Sequence, residues 1–146
     1  MTKRARALQA LLGALELMER ELSFRLTPMP ELLERLSRQA DPPADGLFAG
    51  CREGLSSLGE RSLAELWKAG VRQPALLLEA EELALLDGLG QVLGSYDGEG
   101  QLAALAQTCA ALERALAEAR SERKRMGRVY QTLGLAAGAF LAILLV

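Results

Sequence analysis

The chain has 146 residues, half of them hydrophobic but only 4% aromatic, with 17 cations, 19 anions and no histidine, for a formal charge of −2. That length supports one domain and a tail, and without histidine the commonest zinc ligand and general base is unavailable. Residues 120–128 hold five cations and one anion, which leaves residues 1–119 with six excess negative charges and argues against nucleic acid as a partner.

Leucine and alanine supply most of the apolar content, and no run of Val, Ile or Thr alternates with period two. The chain therefore reads as all-α, an antiparallel bundle of about six helices. The first helix is expected from about Lys3 to Ser23, because Leu8, Leu11, Leu15, Met18 and Leu22 recur at three and four. Lys3, Arg4 and Arg6 make its start basic, as a solvated helix end or as the flank of a membrane span before Met1. Thr27-Pro28-Met29-Pro30-Glu31 forms a corner: Pro28 disfavours helix at Thr27, Pro30 suits a first helical turn, Thr27 is a candidate cap, and Glu31 complements the positive helix end. A second helix carries Leu32, Leu33 and Leu36 to about Gln39 and breaks at Asp41-Pro42-Pro43.

Asp45 is a candidate cap for a third helix with Leu47, Phe48, Cys51, Leu55 and Leu58 inside. Ser62-Leu63-Ala64-Glu65 has the spacing of a capping box, starting a fourth helix that holds Leu66 and Trp67 and is expected to stop at Gly70. The only tryptophan reads as a core or lid residue. A fifth helix is expected over about Leu76 to Leu93, where Gly88, Gly90 and Gly94 either admit a neighbouring helix or loosen the end. In the sixth, Leu102, Leu105, Cys109, Leu112, Leu116 and Ala119 form a heptad seam that predicts one continuous helix from about Gln101 into the tail.

That tail, Val129 to Val146, carries no charge. As a helix it rises about 27 Å, near the lower limit for a hydrocarbon core of roughly 30 Å. A buried C-terminal helix of a soluble bundle is the competing reading. The flank favours a span: Arg120, Arg123, Lys124, Arg125 and Arg128 precede it with Glu122 alone opposing, and Tyr130 lies at interfacial depth. We therefore expect residues 1–128 as a cytoplasmic helical domain and 129–146 as a C-terminal transmembrane helix. Gly134, Gly138 and Ala142 step at small-xxx-small spacing, a face for self-association or simply residues that membrane helices tolerate.

Catalytic signatures are missing. There is no GxxxxGK[ST] phosphate loop, and the fragments Gly88-Leu89-Gly90 and Gly98-Glu99-Gly100 lack a third glycine. Cys51 and Cys109 have no metal-ligand spacing and read as buried, reduced thiols. The sequence predicts a non-enzymatic protein without cofactor or metal.

Two segments carry a resemblance. The run from Leu17 through Thr27-Pro28-Met29-Pro30 to Arg35 is similar to an acidic helix end, Thr-Pro-Leu-Pro turn and amphipathic helix found in the stage III sporulation protein AB family. Leu93-Gly94-Ser95-Tyr96-Asp97-Gly98-Glu99-Gly100-Gln101 resembles that family's Leu-Gly-x-Ser-Asp-x-x-x-Gln signature, with Tyr96 where Ser is usual, so that Ser95 or Asp97 would take over its role. The long charged helix entering a terminal apolar span through Tyr130, Leu133 and Gly134 also fits. The family usually has an apolar span before the first helix, and this chain begins after it, with Lys3, Arg4 and Arg6 where the inner flank would be.

The resemblance implies a component of the assembly that links mother cell and forespore. Its domain would resemble the F-type platform protein of type II secretion, lie on the mother-cell side of the outer forespore membrane, and meet a secretion-type ATPase and other channel proteins. Thr27, Pro28, Pro30 and Glu31 at the corner, with Gly94, Ser95, Asp97, Glu99 and Gln101 at the second turn, are the candidate contacts. A tail-anchored adaptor that oligomerises through the Leu102–Ala119 seam, unrelated to sporulation, is the alternative.

Overall fold

The structure, a computed structural model, describes residues 2–56, 61–93 and 98–145; for residue 56 and residues 122–145 it describes the helical backbone alone. Six α-helices follow in order: α1 Lys3–Arg20, α2 Met29–Gln39, α3 Ala44–Ser56, α4 Leu63–Val71, α5 Ala80–Val92 and α6 Gly98–Leu145. A π-turn at Glu21–Arg25 ends α1, and a 3-10 turn at Pro74–Leu76 precedes α5. No strand occurs among the described residues. Each of α2 to α5 packs on the next, α5 meets α6, and α6 closes on α1.

α1 lies between α6, α2 and α3. Thr2 caps it, its hydroxyl accepting from the Ala5 N–H at 3.0 Å. Leu8, Leu11, Leu15 and Met18 of the expected stripe are fully buried, while Leu22, its last member, falls in the π-turn and is half-buried. Each such side chain contributes about 1.5–3 kcal/mol relative to exposure. Ala5, Ala7, Ala10, Leu12 and Ala14 are buried too, on faces the stripe does not cover, because α2, α3 and α6 all contact this helix. α6 runs antiparallel to α1. Arg120 Nη2 donates to Gln9 Oε1 at 3.2 Å, whereas Cys109 lies among the fields of Glu16 and Glu19, further down α1. The middle of the seam faces inward: Leu105 and Leu112 are fully buried and Cys109 and Leu116 nearly so, while Leu102 and Ala119 at its ends are half-buried.

Trp67 anchors the other half of the core. Its ring is inaccessible to solvent, meets Phe48 edge-on at 5.9 Å between centroids, and donates its indole N–H to the Leu86 carbonyl at 2.8 Å. Gly90 admits this approach, since a β-carbon there would lie 2.5 Å from Trp67 Cδ1. Close approach is thus the outcome for Gly90, while Gly88 has open space around it.

Several boundaries differ from expectation. Ser62 caps α4 as anticipated, accepting from the Glu65 N–H at 3.2 Å, but Gly70 does not stop that helix. It lies inside α4, its missing β-carbon making room for Leu47, whose Cδ1 would be 2.4 Å away. Asp45 sits in the first turn of α3 rather than capping it. The fifth helix starts at Ala80 instead of Leu76, because Leu77 takes a left-handed conformation (φ 54°) after the 3-10 turn. A reciprocal Glu79–Glu82 box then starts it.

α6 remains helical in its backbone to Leu145. Among the described residues no helix is long and apolar enough to cross a membrane. Of the expected span at 129–146 only the helical backbone to Leu145 is described; how Gly134, Gly138, Ala142 and Tyr130 are placed on its surface, and the side chains of Arg123, Lys124, Arg125 and Arg128, lie outside the described residues.

Two local features give measurable expectations. Burial pushes the Cys51 thiol up to about 12, and burial followed by the fields of Glu19, Glu16 and Glu113 does the same for Cys109. At pH 8 roughly one molecule in ten thousand then carries either thiolate, so alkylation by iodoacetamide should track global unfolding. Rapid labelling of the folded chain would contradict this burial.

Arg72 at the end of α4 holds Asp87 of α5 in a fork of 2.8 and 2.6 Å, and these bonds keep the Asp87 carboxyl below its ordinary value. The folded value is lower than the unfolded one. The stabilisation is therefore fully present above the ordinary carboxylate value and disappears as pH falls through the folded value. Asp87→Asn should be less stable than the parent at neutral pH, with the difference closing in acid melts. A difference that persists at low pH would mean another cause.

Candidate functional site

The Thr27–Glu31 corner is fixed by one carboxylate. Glu21, with its side chain 12% exposed, accepts from the Thr27 hydroxyl at 3.0 Å and from Arg35 Nη1 at 2.9 Å. Arg35 Nη2 also reaches Glu31 at 3.2 Å, and Arg25 stands 3.9 Å from the other Glu21 oxygen. Thr27 is therefore buried and spent on Glu21. It does not cap α2, whose cap residue is Pro28 without a side-chain bond. Pro30 occupies the first turn of α2, where no N–H is needed, as its position in the sequence implies.

This clamp turns the π-turn outward. Phe24 is 82% and Leu26 81% exposed. Leu26 takes the left-handed conformation, φ 50°, which an L side chain adopts only against steric resistance. Beside them an open groove of about 340 Å³ is lined by Leu22, Ser23, Leu26 and Thr27 from the corner and by Gly98, Glu99, Gln101 and Leu102 from the first turns of α6. The antiparallel pairing of α1 with α6 brings the two candidate segments to the same end of the bundle. Thr27, Glu99 and Gln101 share the groove, whereas Pro28, which precedes α2, and Pro30 and Glu31 in its first turn do not line it. Gly94, Ser95 and Asp97 lie outside the described residues.

Phe24 and Leu26 were not singled out in the sequence. An exposed Phe-Arg-Leu ahead of a Thr-Pro corner is the signal that marks them, but only the left-handed turn shows that neither folds inward. No group of three or more potential metal ligands gathers among the described residues.

Fold and groove together define an all-helical domain with an open, largely apolar surface at one end. The chain belongs to the stage III sporulation protein AB family, whose model matches residues 1–146. It is 26% identical over 146 residues to stage III sporulation protein AB of Bacillus subtilis strain 168, covering 99% of this chain and 85% of that one. A solved structure of stage III sporulation protein AB shares its fold with a TM-score of 0.73 at 24% identity, covering 83% of this chain and 96% of the other. Its role therefore lies in sporulation.

Proposed function

We propose that the protein is a non-enzymatic, membrane-anchored platform component of the channel between mother cell and forespore. In this reading residues 129–146 span the membrane from the cytoplasm, residues 1–128 form an F-type platform domain, and the groove at the Thr27 corner docks the secretion-type ATPase of the assembly. The observation that carries it is the convergence of Phe24, Leu26, Thr27, Glu99 and Gln101 at one end of the bundle. From Gly98 to Arg128 the α6 helix rises about 45 Å. The groove then stands well clear of the bilayer, within reach of a cytoplasmic partner. The burial of Leu105 and Leu112 against the chain's own helices counts against the adaptor alternative, which needs that seam free.

Deletion of the gene should arrest sporulation after engulfment. Phe24→Glu with Leu26→Asn is the sharper test, since both side chains are exposed and Asn tolerates the left-handed turn. Losing an apolar anchor of an interface weakens binding by about 30-fold or more. Co-purification with the ATPase and heat-resistant spore yield should both fall, while helicity is unchanged. Normal yield with an intact ATPase contact would remove the docking role.

A further inference from the structure

The opposite end of the bundle carries a second surface. Lys3 and Arg6 at the start of α1 line an open depression of about 580 Å³ with Pro42, Pro43, Pro74, Ala75 and Leu77. Both cations are exposed and form no ion pair among the described residues. Arg4 between them is engaged with Glu82 and Glu79, and Asp41, exposed just before Pro42, opposes the pair with one charge. The cations do not serve the helix, whose first turn holds no acid, because positive charge there opposes the helix dipole. Leu77 is 43% exposed in its left-handed turn, a conformation that leucine resists. The Arg4 guanidinium donates to its carbonyl at 3.1 Å and fixes the turn.

The pairing of α1 with α6 sets the height of this surface. Gln9 meets Arg120. Lys3 lies six residues nearer the α1 start, about 9 Å, and over the same rise α6 reaches residue 126. The charge-free run begins three residues later, at Val129. A basic, apolar-floored depression therefore stands level with the point where that run begins, beside a stretch of α6 whose sequence is itself strongly cationic.

We propose that this depression is a bilayer-facing surface: Lys3 and Arg6 bind the phosphates of anionic lipid headgroups while Leu77 and the prolines enter the interface. The occupant follows from charge complementarity and from continuity with the terminal run, and the inference rests on reading that run as a membrane span. Seating on this surface as well as through the span fixes the tilt of the domain.

The test uses the full chain in nanodiscs of phosphatidylcholine alone or with about 30% phosphatidylglycerol. Ala75→Cys carries an environment-sensitive fluorophore, and the buried Cys51 and Cys109 leave it the only readily labelled thiol. In anionic discs the label should be shielded from acrylamide, and Lys3→Glu with Arg6→Glu should expose it. Each cation contributes about fivefold to the seated population, so loss of the pair shifts it on the order of 25-fold and the two added carboxylates shift it further. Leu77→Asn keeps the turn and should weaken shielding too, whereas Phe24→Glu at the far end should not.

A label equally quenched in both disc types, on a chain that co-elutes with the discs, overturns the surface but leaves the span standing. Shielding that ignores lipid charge and the double substitution points to a protein contact and also overturns it. A chain that never enters the discs removes the span and this inference together.

Discussion

Trp67→Ala is expected to lower the unfolding free energy by about 3–5 kcal/mol, a large part of the 5–15 kcal/mol typical of a domain this size. The hole it leaves cannot be refilled. Phe48 meets the indole from one side in a T-shaped contact, and on another the wall is the α5 backbone at Gly90, which has no side chain to lean in. Trp67→Phe keeps most of the ring but removes the donor that reaches the Leu86 carbonyl, and should cost about 1–2 kcal/mol. Gly90→Ala places a β-carbon against the indole and should cost about 1–3 kcal/mol in the parent chain. In the Trp67→Ala background the same change should cost far less, so the pair is strongly non-additive. Urea melts of the full chain in detergent, followed by circular dichroism, measure all four. A Trp67→Ala chain within about 1 kcal/mol of the parent would mean that this core half collapses freely.

The sequence revealed the elements whose residues answer to one neighbour. The spacing of Leu8, Leu11, Leu15 and Met18 identifies a helix with one buried face, and the Leu102–Ala119 seam identifies a second, whereas their pairing with each other is visible only in the fold. Ser62 and Pro30 announce helix starts because their chemistry is local. What periodicity could not convey is that α1 is enclosed on several sides. Alanine at positions 5, 7, 10 and 14 is neutral in a stripe count, yet those small side chains let three helices approach. Gly70 misled for a related reason: a glycine near a helix end reads as a stop, but this one is a notch for Leu47.

The candidate site was legible only as two separate turns. Thr27 before Pro28 has the composition of a cap, and its hydroxyl instead went to Glu21, six residues back, once the π-turn had rotated that carboxylate under the corner. Nothing in the residue pattern marks a π-turn. The exposure of Phe24 and Leu26 follows from the turn's geometry and not from their chemistry, which favours burial. Fifth-helix timing failed likewise, because the left-handed Leu77 is a residue type that ordinarily avoids that conformation.

Arg4→Ala should cost about 3 kcal/mol, far more than a typical ion pair near a surface. The difference lies in what stays behind. Glu82 is 5% exposed, and Arg4 Nη1 meets its Oε1 at 2.6 Å, with the Glu79 backbone N–H the other donor at 3.2 Å. Removing the guanidinium strands a buried carboxylate, and breaking one side of such a pair costs about 3–5 kcal/mol. Arg4 is itself 26% exposed, so entering water should hold the loss to the lower end. Arg4→Lys keeps the charge but loses the planar fork that also reaches the Leu77 carbonyl, and should be intermediate. Arg4→Ala with Glu82→Gln removes both charges, keeps an acceptor for the Glu79 N–H that starts α5, and should regain much of the stability. Chemical denaturation of the four chains decides it. If the double variant is as unstable as Arg4→Ala, the loss comes from the Leu77 turn coming free rather than from the carboxylate, and Arg4 acts chiefly as the tether of the surface above it.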